Sequence, residues 1–373
     1  MDLLHDVDMD SGDESDASSA DARSLMSVSV GASSVTSVDV GTPAPSVMSI
    51  NSCIRASAFR EEFGRNLNNY SEIYRLPADS DEFERLDFQH EMFIEVQGKY
   101  PEPMYEVLAD VGGPRKAVVD LGCGSGSWIL DVAHDFPHVD AVAVDLVPMR
   151  VTCTDGVCPS AAQGYRHPSC RHMPPNCRSE IDDINLGLQH FLDEFDVAHV
   201  RLISSGIRDY ESLIDQIALT LKPGGLIDLM EFDFRIYGED MRPMPLHASA
   251  LARWMNLAHH AVQQQGGEPD AANYLHYWVM RRRCFYDVEY REWWYQTTSW
   301  NRAGDERART LNRYGGLMRD DILQFLLSAR PLLLGTGVPE QILDPLEDDV
   351  RTELLDAEVP SYIRIEQVYA RKR

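Results

Sequence analysis

The run VVDLGCGSGSW, residues 118–128, ends an apolar stretch in an acid, Asp120, and then sets glycines at 122, 124 and 126. A glycine lets backbone approach a ligand closely, because no Cβ intrudes. Three kinds of ligand use such a turn. A phosphate loop needs G-x-x-x-x-G-K-[ST], and no lysine follows here. A dinucleotide fingerprint needs a glycine where Ser127 stands. S-Adenosylmethionine has no phosphate; it offers an ammonium group, a sulfonium and a ribose. Asp120 would attract that ammonium and repel a phosphate.

Two further acids fall at intervals that suit the same ligand. The stretch AVAVDL ends in Asp145-Leu146, one strand-helix unit after the glycines, where a carboxylate can accept from both ribose hydroxyls. Nicotinamide enzymes place an acid there for the same reason, so Asp145 alone does not discriminate. CRSEIDD ends in Asp182-Asp183, and either carboxylate can accept from an adenine amino group. Each acid has a plainer reading as a helix cap or a solvated turn. The four features gain meaning from their order along one pattern.

That pattern is strand alternating with helix. KAVVDL reads as strand one, SGSWILDVAHDF as a helix starting at the glycines, and AVAVDL as strand two. CRSEIDD reads as strand three, FDVAHVRL as strand four, YESLIDQIALTL as a helix closed by Lys222-Pro223-Gly224-Gly225, and LIDLMEFDF as strand five. Such alternation indicates a parallel α/β sheet with ligands at the carboxyl ends of its strands. Upstream, residues 61–100 read as two or more helices broken at Leu76-Pro77. Downstream, a long helix before Gly266 leads to CFYDVEYREWWYQ as strand six, DDILQFLLSARPLLL as a helix and SYIRIEQVYARKR as strand seven. Residues 297–360 would cover the acceptor side.

From about residue 70 to 240 the chain resembles the class I S-adenosylmethionine-dependent methyltransferases of fungi, in the branch that includes the LaeA-like regulators of secondary metabolism. The resemblance is carried by YRLPAD at 74–79, RLDFQH at 85–90, the glycine motif ending in Trp128, PPNC at 174–177, EIDD at 180–183 and LKPGG at 221–225. It implies a Rossmann-like α/β fold: a seven-stranded, mostly parallel sheet with an antiparallel terminal hairpin, a helical N-terminal extension and an acceptor-side helical cover. It also implies S-adenosyl-L-methionine as cofactor. Asp120 with Gly122, Cys123, Gly124 and Gly126 would hold the methionine end, Asp145 and Leu146 the ribose, and Asp182 or Asp183 the adenine. Arg201, at the end of strand four, joins this cofactor-side set. The helix carrying Gln89 and His90 would lie over the cofactor, and Trp128 would pack at its helix start.

Composition sets the frame. The chain has 373 residues, is 44% hydrophobic and carries a net charge of −26. No apolar run approaches the roughly 20 residues of a membrane span. Phosphate backbones would be repelled, so no nucleic-acid partner is expected. Seven cysteines suggest no disulfide framework, and the acidic start suggests no leader, which points to the cytoplasm or nucleus. Residues 1–55 form an acidic, Ser-rich tail expected to be disordered, with −8 of the charge in its first fifty residues. The methyltransferase domain spans 56–373, divided into N-terminal helices (56–115), cofactor core (116–235) and acceptor-side helices with terminal strands (236–373).

One segment departs from the pattern. Residues 151–171 interrupt a helix-strand unit, as an insertion or a retained intron, and bring Cys153, Cys158 and Cys170 with His167 near His172 and Cys177. Cys153-x₄-Cys158 fits a zinc-site pair only loosely and Cys170-x₆-Cys177 does not, so no metal is expected. His247, His259, His260, Trp293, Trp294 and Tyr295 read as helix-face and core residues, and Arg281-Arg282-Arg283 as a salt-bridged helix end.

No catalytic residue is identified. In-line attack on a sulfonium methyl asks the protein mainly to position two reactants. The turn after strand four lacks the Asn/Asp-Pro-Pro-aromatic tetrad used on amide nitrogens, which leaves a small molecule or a protein side chain as acceptor. A regulatory role exercised through a protein partner is the alternative.

Overall fold

The computed structural model describes residues 57–149 and 173–373, with the backbone of Ser29–Val30. Among the described residues the sheet contains seven long strands: β1 (Lys116–Leu121), β2 (Val139–Asp145), β3 (Cys177–Ile181), β4 (Phe195–Arg201), β5 (Leu221–Phe232), β6 (Phe285–Gln296) and β7 (Tyr362–Lys372). Their spatial order is β3-β2-β1-β4-β5-β7-β6. The first five are parallel, and β7 runs antiparallel to both β5 and β6. Ser29–Val30 pairs antiparallel with the outer edge of β3, so these two residues add a short eighth strand within the stretch expected to be a disordered tail.

Strand order reverses at β1, which lies between β2 and β4. At such a switch point the connecting helices leave to opposite faces and open a crevice above the strand ends. The central strands are apolar on both faces because both are covered; in β1, Val118, Val119 and Leu121 are fully buried.

Among the described residues, eight helices surround the sheet: α1 (Ser80–Gln97), α2 (Glu102–Val107), α3 (Ser127–Asp135), α4 (Tyr210–Thr220), α5 (Ala250–Gln265), α6 (Leu275–Met280), α7 (Glu306–Gly335) and α8 (Glu340–Asp356). Asp79 caps α1 by accepting the N–H of Glu82, and is itself gripped by Arg65 at 2.6 and 2.8 Å. Helix α1 packs on α7 and α3, which places it across the mouth of the crevice. The helices α5, α7 and α8 form the expected cover, with Trp254, Phe325 and Leu326 in its core.

Two local expectations are corrected. Residues expected to open the helical extension form a hairpin, Phe59–Glu62 with Arg65–Asn68. Its two-residue turn, Phe63-Gly64, has φ of 50° and 73°, the left-handed conformation that matches strand twist. Phe59, Phe63 and Leu67 recur every four residues and so imitate a helical stripe. Lys222–Gly225, expected as a turn closing α4, lies inside β5, where pairing with β4 shifts register and Gly224 has φ of 81°.

The cysteines and histidines of 151–172 lie outside the described residues. Cys177 is buried, and among the described residues no group of three or more His, Cys, Asp or Glu is placed to hold a metal.

Candidate active site

The crevice above β1 and β4 is one continuous cavity of about 1450 Å³, its open mouth included. The carboxyl ends of the strands form its floor. Asp120 of β1, Asp145-Leu146 of β2, Asp182-Asp183 after β3 and Arg201 of β4 all line it, together with Gly122, Cys123 and Gly124. Gly126 does not. It sits at the N-cap of α3 with φ of 82°, where a Cβ would fall 1.8 Å from Met149 Sδ. This glycine serves the packing of the turn.

The glycine loop is tied to β2. Gly124 N–H donates to Asp145 Oδ2 at 2.8 Å, and Val147 N–H donates to Oδ1 at 3.2 Å. Burial still wins over these bonds and pushes the Asp145 carboxyl up to about 6. A Cβ on Gly122 would strike Ile203 at 2.4 Å, so the loop lies flush against the turn after β4. Helix α1 holds the loop from above: Ser127 Oγ donates to Asp87 and contacts Ser125 Oγ at 2.8 Å.

The paired acids after β3 have different environments. Asp183 accepts from Asn185 N–H at 3.0 Å and from the Asn185 amide at 2.9 Å, capping the short turn Ile184–Leu186. Asp182 makes an ion pair with His190 at 3.2 Å, and burial raises its carboxyl. Asp120 is buried and accepts no hydrogen bond among the described residues; burial raises it, against the pull of His199 and Arg201.

His90 is not in the cavity wall. It is 2% exposed; its Nε2 lies 3.0 Å from Asp131 Oδ2, and its Nδ1 lies 3.2 and 3.3 Å from the two Nη atoms of Arg201. It joins α1 to α3 and β4. Trp128 stacks on His199 with ring centres 3.8 Å apart and is buried packing, as expected.

Beyond Arg201 the cavity turns apolar, between Phe93 of α1, Phe232 of β5, Met255 of α5 and Met318, Ile322 and Phe325 of α7. Its polar groups are bound to one another. Arg85 Nη1 donates to Asp321 Oδ1 at 2.9 Å, Gln89 donates to Asp321 Oδ2 at 2.9 Å, and the other edge of Arg85 grips Glu82. Arg85, Asp321 and Tyr74 were not picked out singly as site residues in the sequence. Tyr74 and Arg85 stand in the quoted YRLPAD and RLDFQH motifs, whereas Asp321 has no local signal, being 236 residues from its partner. His247, His259, His260, Trp293, Trp294 and Tyr295 stay outside the wall, and Arg281 and Arg282 pair with Glu211 and Asp215.

The geometry suits S-adenosylmethionine. A flush glycine loop and the acids of three strand ends line one side of the cavity, and neither Asp120 nor the Tyr74 hydroxyl is consumed by a hydrogen bond among the described residues.

Comparison with known proteins agrees. A methyltransferase-domain family matches residues 88–301. The secondary metabolism regulator laeA of Coprinopsis cinerea is 41% identical over 320 residues, covering 84% of this chain and 74% of that protein. The protein-methionine methyltransferase laeA of Emericella nidulans is 24% identical over 335 residues, covering 89% of this chain and 81% of that one. Among solved structures, the cyclopropane synthase MmaA2 of Mycobacterium tuberculosis aligns with a TM-score of 0.43 at 14% identity, over 79% of this chain and 94% of that one.

Proposed function

The chain belongs to the methyltransferase-domain family and to its laeA-type branch, and from that premise we propose that it methylates an acceptor whose reacting atom needs no base. It is an S-adenosyl-L-methionine-dependent methyltransferase. Bound cofactor supplies a sulfonium methyl, open to in-line displacement by a nucleophile. In this reading Asp120 and the loop Gly122–Gly124 hold its amino-acid end, Asp145 its ribose and Asp182 its adenine.

The observation that carries the acceptor class is the state of the polar groups beyond Arg201. Asp321 has both oxygens occupied, Arg85 is bound between two acids, and no histidine lines the cavity among the described residues. An ammonium or a phenol entering protonated would find no free base. A thioether or another neutral nucleophile in an apolar setting needs none, and the name of the Emericella nidulans relative, a protein-methionine methyltransferase, supports that class. The test is S-adenosylhomocysteine release with methionyl, lysyl and phenolic acceptors, followed by mass spectrometry of the product. Transfer to amine or phenol in preference to thioether would refute the acceptor class.

A regulatory role through a protein partner is the second reading. The net charge of −26 and the name of the Coprinopsis cinerea relative, a secondary metabolism regulator, support it. It places the protein in the cytoplasm or nucleus without a nucleic-acid ligand, and no described helix is long and apolar enough to cross a membrane. Co-purification of a stoichiometric basic protein from the source organism tests it.

A further inference from the structure

Glu231 of β5 is fully buried, and no cation pairs with it among the described residues. Its Oε1 collects three donors: the N–H of Ile203 at 2.8 Å, the N–H of Ser204 at 3.1 Å and the Tyr210 hydroxyl at 3.0 Å. Its Oε2 has no partner among the described residues. Burial pushes the carboxyl up to about 7, against the pull of these donors. A buried acid without a cation is costly, and an apolar side chain in its place would avoid that cost. What the acid supplies is a hold on one turn.

The turn is strained. Leu202, directly after β4, has φ of 56°, a left-handed conformation that a bulky residue rarely adopts. Such a residue persists only where its surroundings over-determine it. Leu202 N–H donates to Met230 O at 2.8 Å, Glu268 N–H to Ser204 O at 2.9 Å, and the Asn185 amide to Gly206 O at 2.9 Å. Glu231 adds the bonds nearest the strain, to the two N–H groups that directly follow Leu202.

The turn also lies where the two halves of the cavity meet. Residues 202–207 all line it, whereas Glu231 stays behind the wall. Ile203 is flush with the glycine loop, Gly206 is bonded to the Asn185 that serves Asp183, and Leu202 packs against the apolar arm. A shift of the turn by about 1 Å would disturb floor and arm together, and in-line transfer tolerates little misplacement.

We propose that Glu231 is a positioning residue for methyl transfer: from behind the cavity wall it holds Leu202 in its left-handed form and keeps the turn 202–207 seated between the glycine loop and the apolar arm. The role rests on the cofactor reading above and adds to it a residue that touches neither cofactor nor acceptor.

The test pairs calorimetry with S-adenosylhomocysteine and amide hydrogen exchange of residues 202–207, both on the full chain. Glu231→Leu leaves three buried donors without their acceptor. It should weaken S-adenosylhomocysteine roughly 10- to 100-fold, as for lost hydrogen bonds to a charged group, and speed exchange in the turn by about tenfold or more. Glu231→Gln keeps the Oε1 acceptor and should restore both to within about threefold of wild type. Leu202→Gly removes the strain, because glycine takes a positive φ freely. In that background Glu231→Leu should cost roughly 5- to 30-fold less affinity. Equal losses in the two backgrounds overturn the hold on Leu202, and wild-type affinity and exchange in a folded Glu231→Leu overturn the role itself. Should Glu231→Leu not fold, Glu231→Asp decides, since it keeps the acid but falls one methylene short of the turn; wild-type affinity there also overturns the proposal. If wild type does not bind S-adenosylhomocysteine, the cofactor reading falls instead, and exchange in 202–207 still judges Glu231.

Discussion

Gly124 and Asp145, 21 residues apart, are joined by a 2.8 Å hydrogen bond from the glycine N–H to the Asp145 carboxylate. The bond crosses from the loop after β1 to the end of β2, so two neighbouring strand ends of the cavity floor form one unit. Its acceptor is the carboxylate assigned to the ribose, and its donor lies in the loop assigned to the methionine end. Changes at either residue should therefore reach the other's ligand group.

The first consequence is a pH dependence of cofactor affinity. Burial pushes the Asp145 carboxyl up to about 6. A folded-state value above the ordinary one means that this proton stabilises the unliganded fold below about pH 4 and that the benefit is lost as pH rises through about 6. Ribose hydroxyls donate to the ionised form, so affinity has the opposite trend and should fall about tenfold per pH unit below pH 6. Calorimetry from pH 5 to 8 should show this slope, and Asp145→Asn should lower it by about one proton. Asp120 and Asp182, also raised by burial, account for what slope is left. A wild-type affinity that stays flat over this range would remove Asp145 from the ribose.

The neighbouring acids Asp182 and Asp183 should separate cleanly. Asp183→Ala removes the cap on the turn Ile184–Leu186 and should cost about 0.5–2 kcal/mol of stability. Asp182→Ala should instead cost about 1.5–3 kcal/mol of cofactor binding, as for a hydrogen bond to a charged group. Urea unfolding and calorimetry on both variants give the comparison. The reverse pattern would move the adenine contact to Asp183.

In the network between α1 and α7, one cation serves two acids. Arg85→Met leaves Glu82 and Asp321 buried without their cation and should cost about 3–5 kcal/mol. Asp321→Asn removes a charge from a cluster that carries two acids against one base, and keeps an oxygen for Arg85. It should cost about 1 kcal/mol or less. Similar losses in denaturant titrations of the two variants would mean that Arg85 does not organise the cluster.

The parts of this fold that were legible in the sequence are those set by local physics. Strands β1, β2 and β4 are short, largely apolar runs because both faces are buried, β3 is a more polar edge run, and each begins or ends within two residues of where the sequence placed it. The acids lining the cavity follow, since a residue at a strand's carboxyl end is fixed by the strand itself. The hairpin Phe59–Glu62 with Arg65–Asn68 was hidden because its apolar residues have helical spacing. The first turns of α7 were missed because Glu306–Arg313 is mostly exposed and has no apolar stripe. Asp321 reaches the site through helix packing across more than two hundred residues and leaves no mark in the local sequence. His90 stands in the quoted RLDFQH motif, but its place behind the cavity wall, between Asp131 and Arg201, comes from packing that the motif does not show.

The last prediction concerns the glycines. At Gly124, φ is 56° and an added Cβ meets the tip of Leu86 at 2.9 Å, a side chain with room to turn. Gly124→Val should therefore fold at a cost of about 1–2 kcal/mol for a left-handed residue that is not glycine. Its branched side chain would stand in the cofactor cradle and twist the N–H away from Asp145. At Gly126, off the cavity, φ is 82° and a Cβ would fall 1.8 Å from Met149 Sδ, so Gly126→Val should lose more stability. Thermal melting with and without S-adenosylmethionine tests both parts. Gly124→Val should keep a cooperative transition near that of wild type and lose the ligand-induced rise, because a ligand that no longer binds the native state cannot raise its melting point. A wild-type rise in that variant would make the loop a structural turn and take the cofactor's methionine end elsewhere.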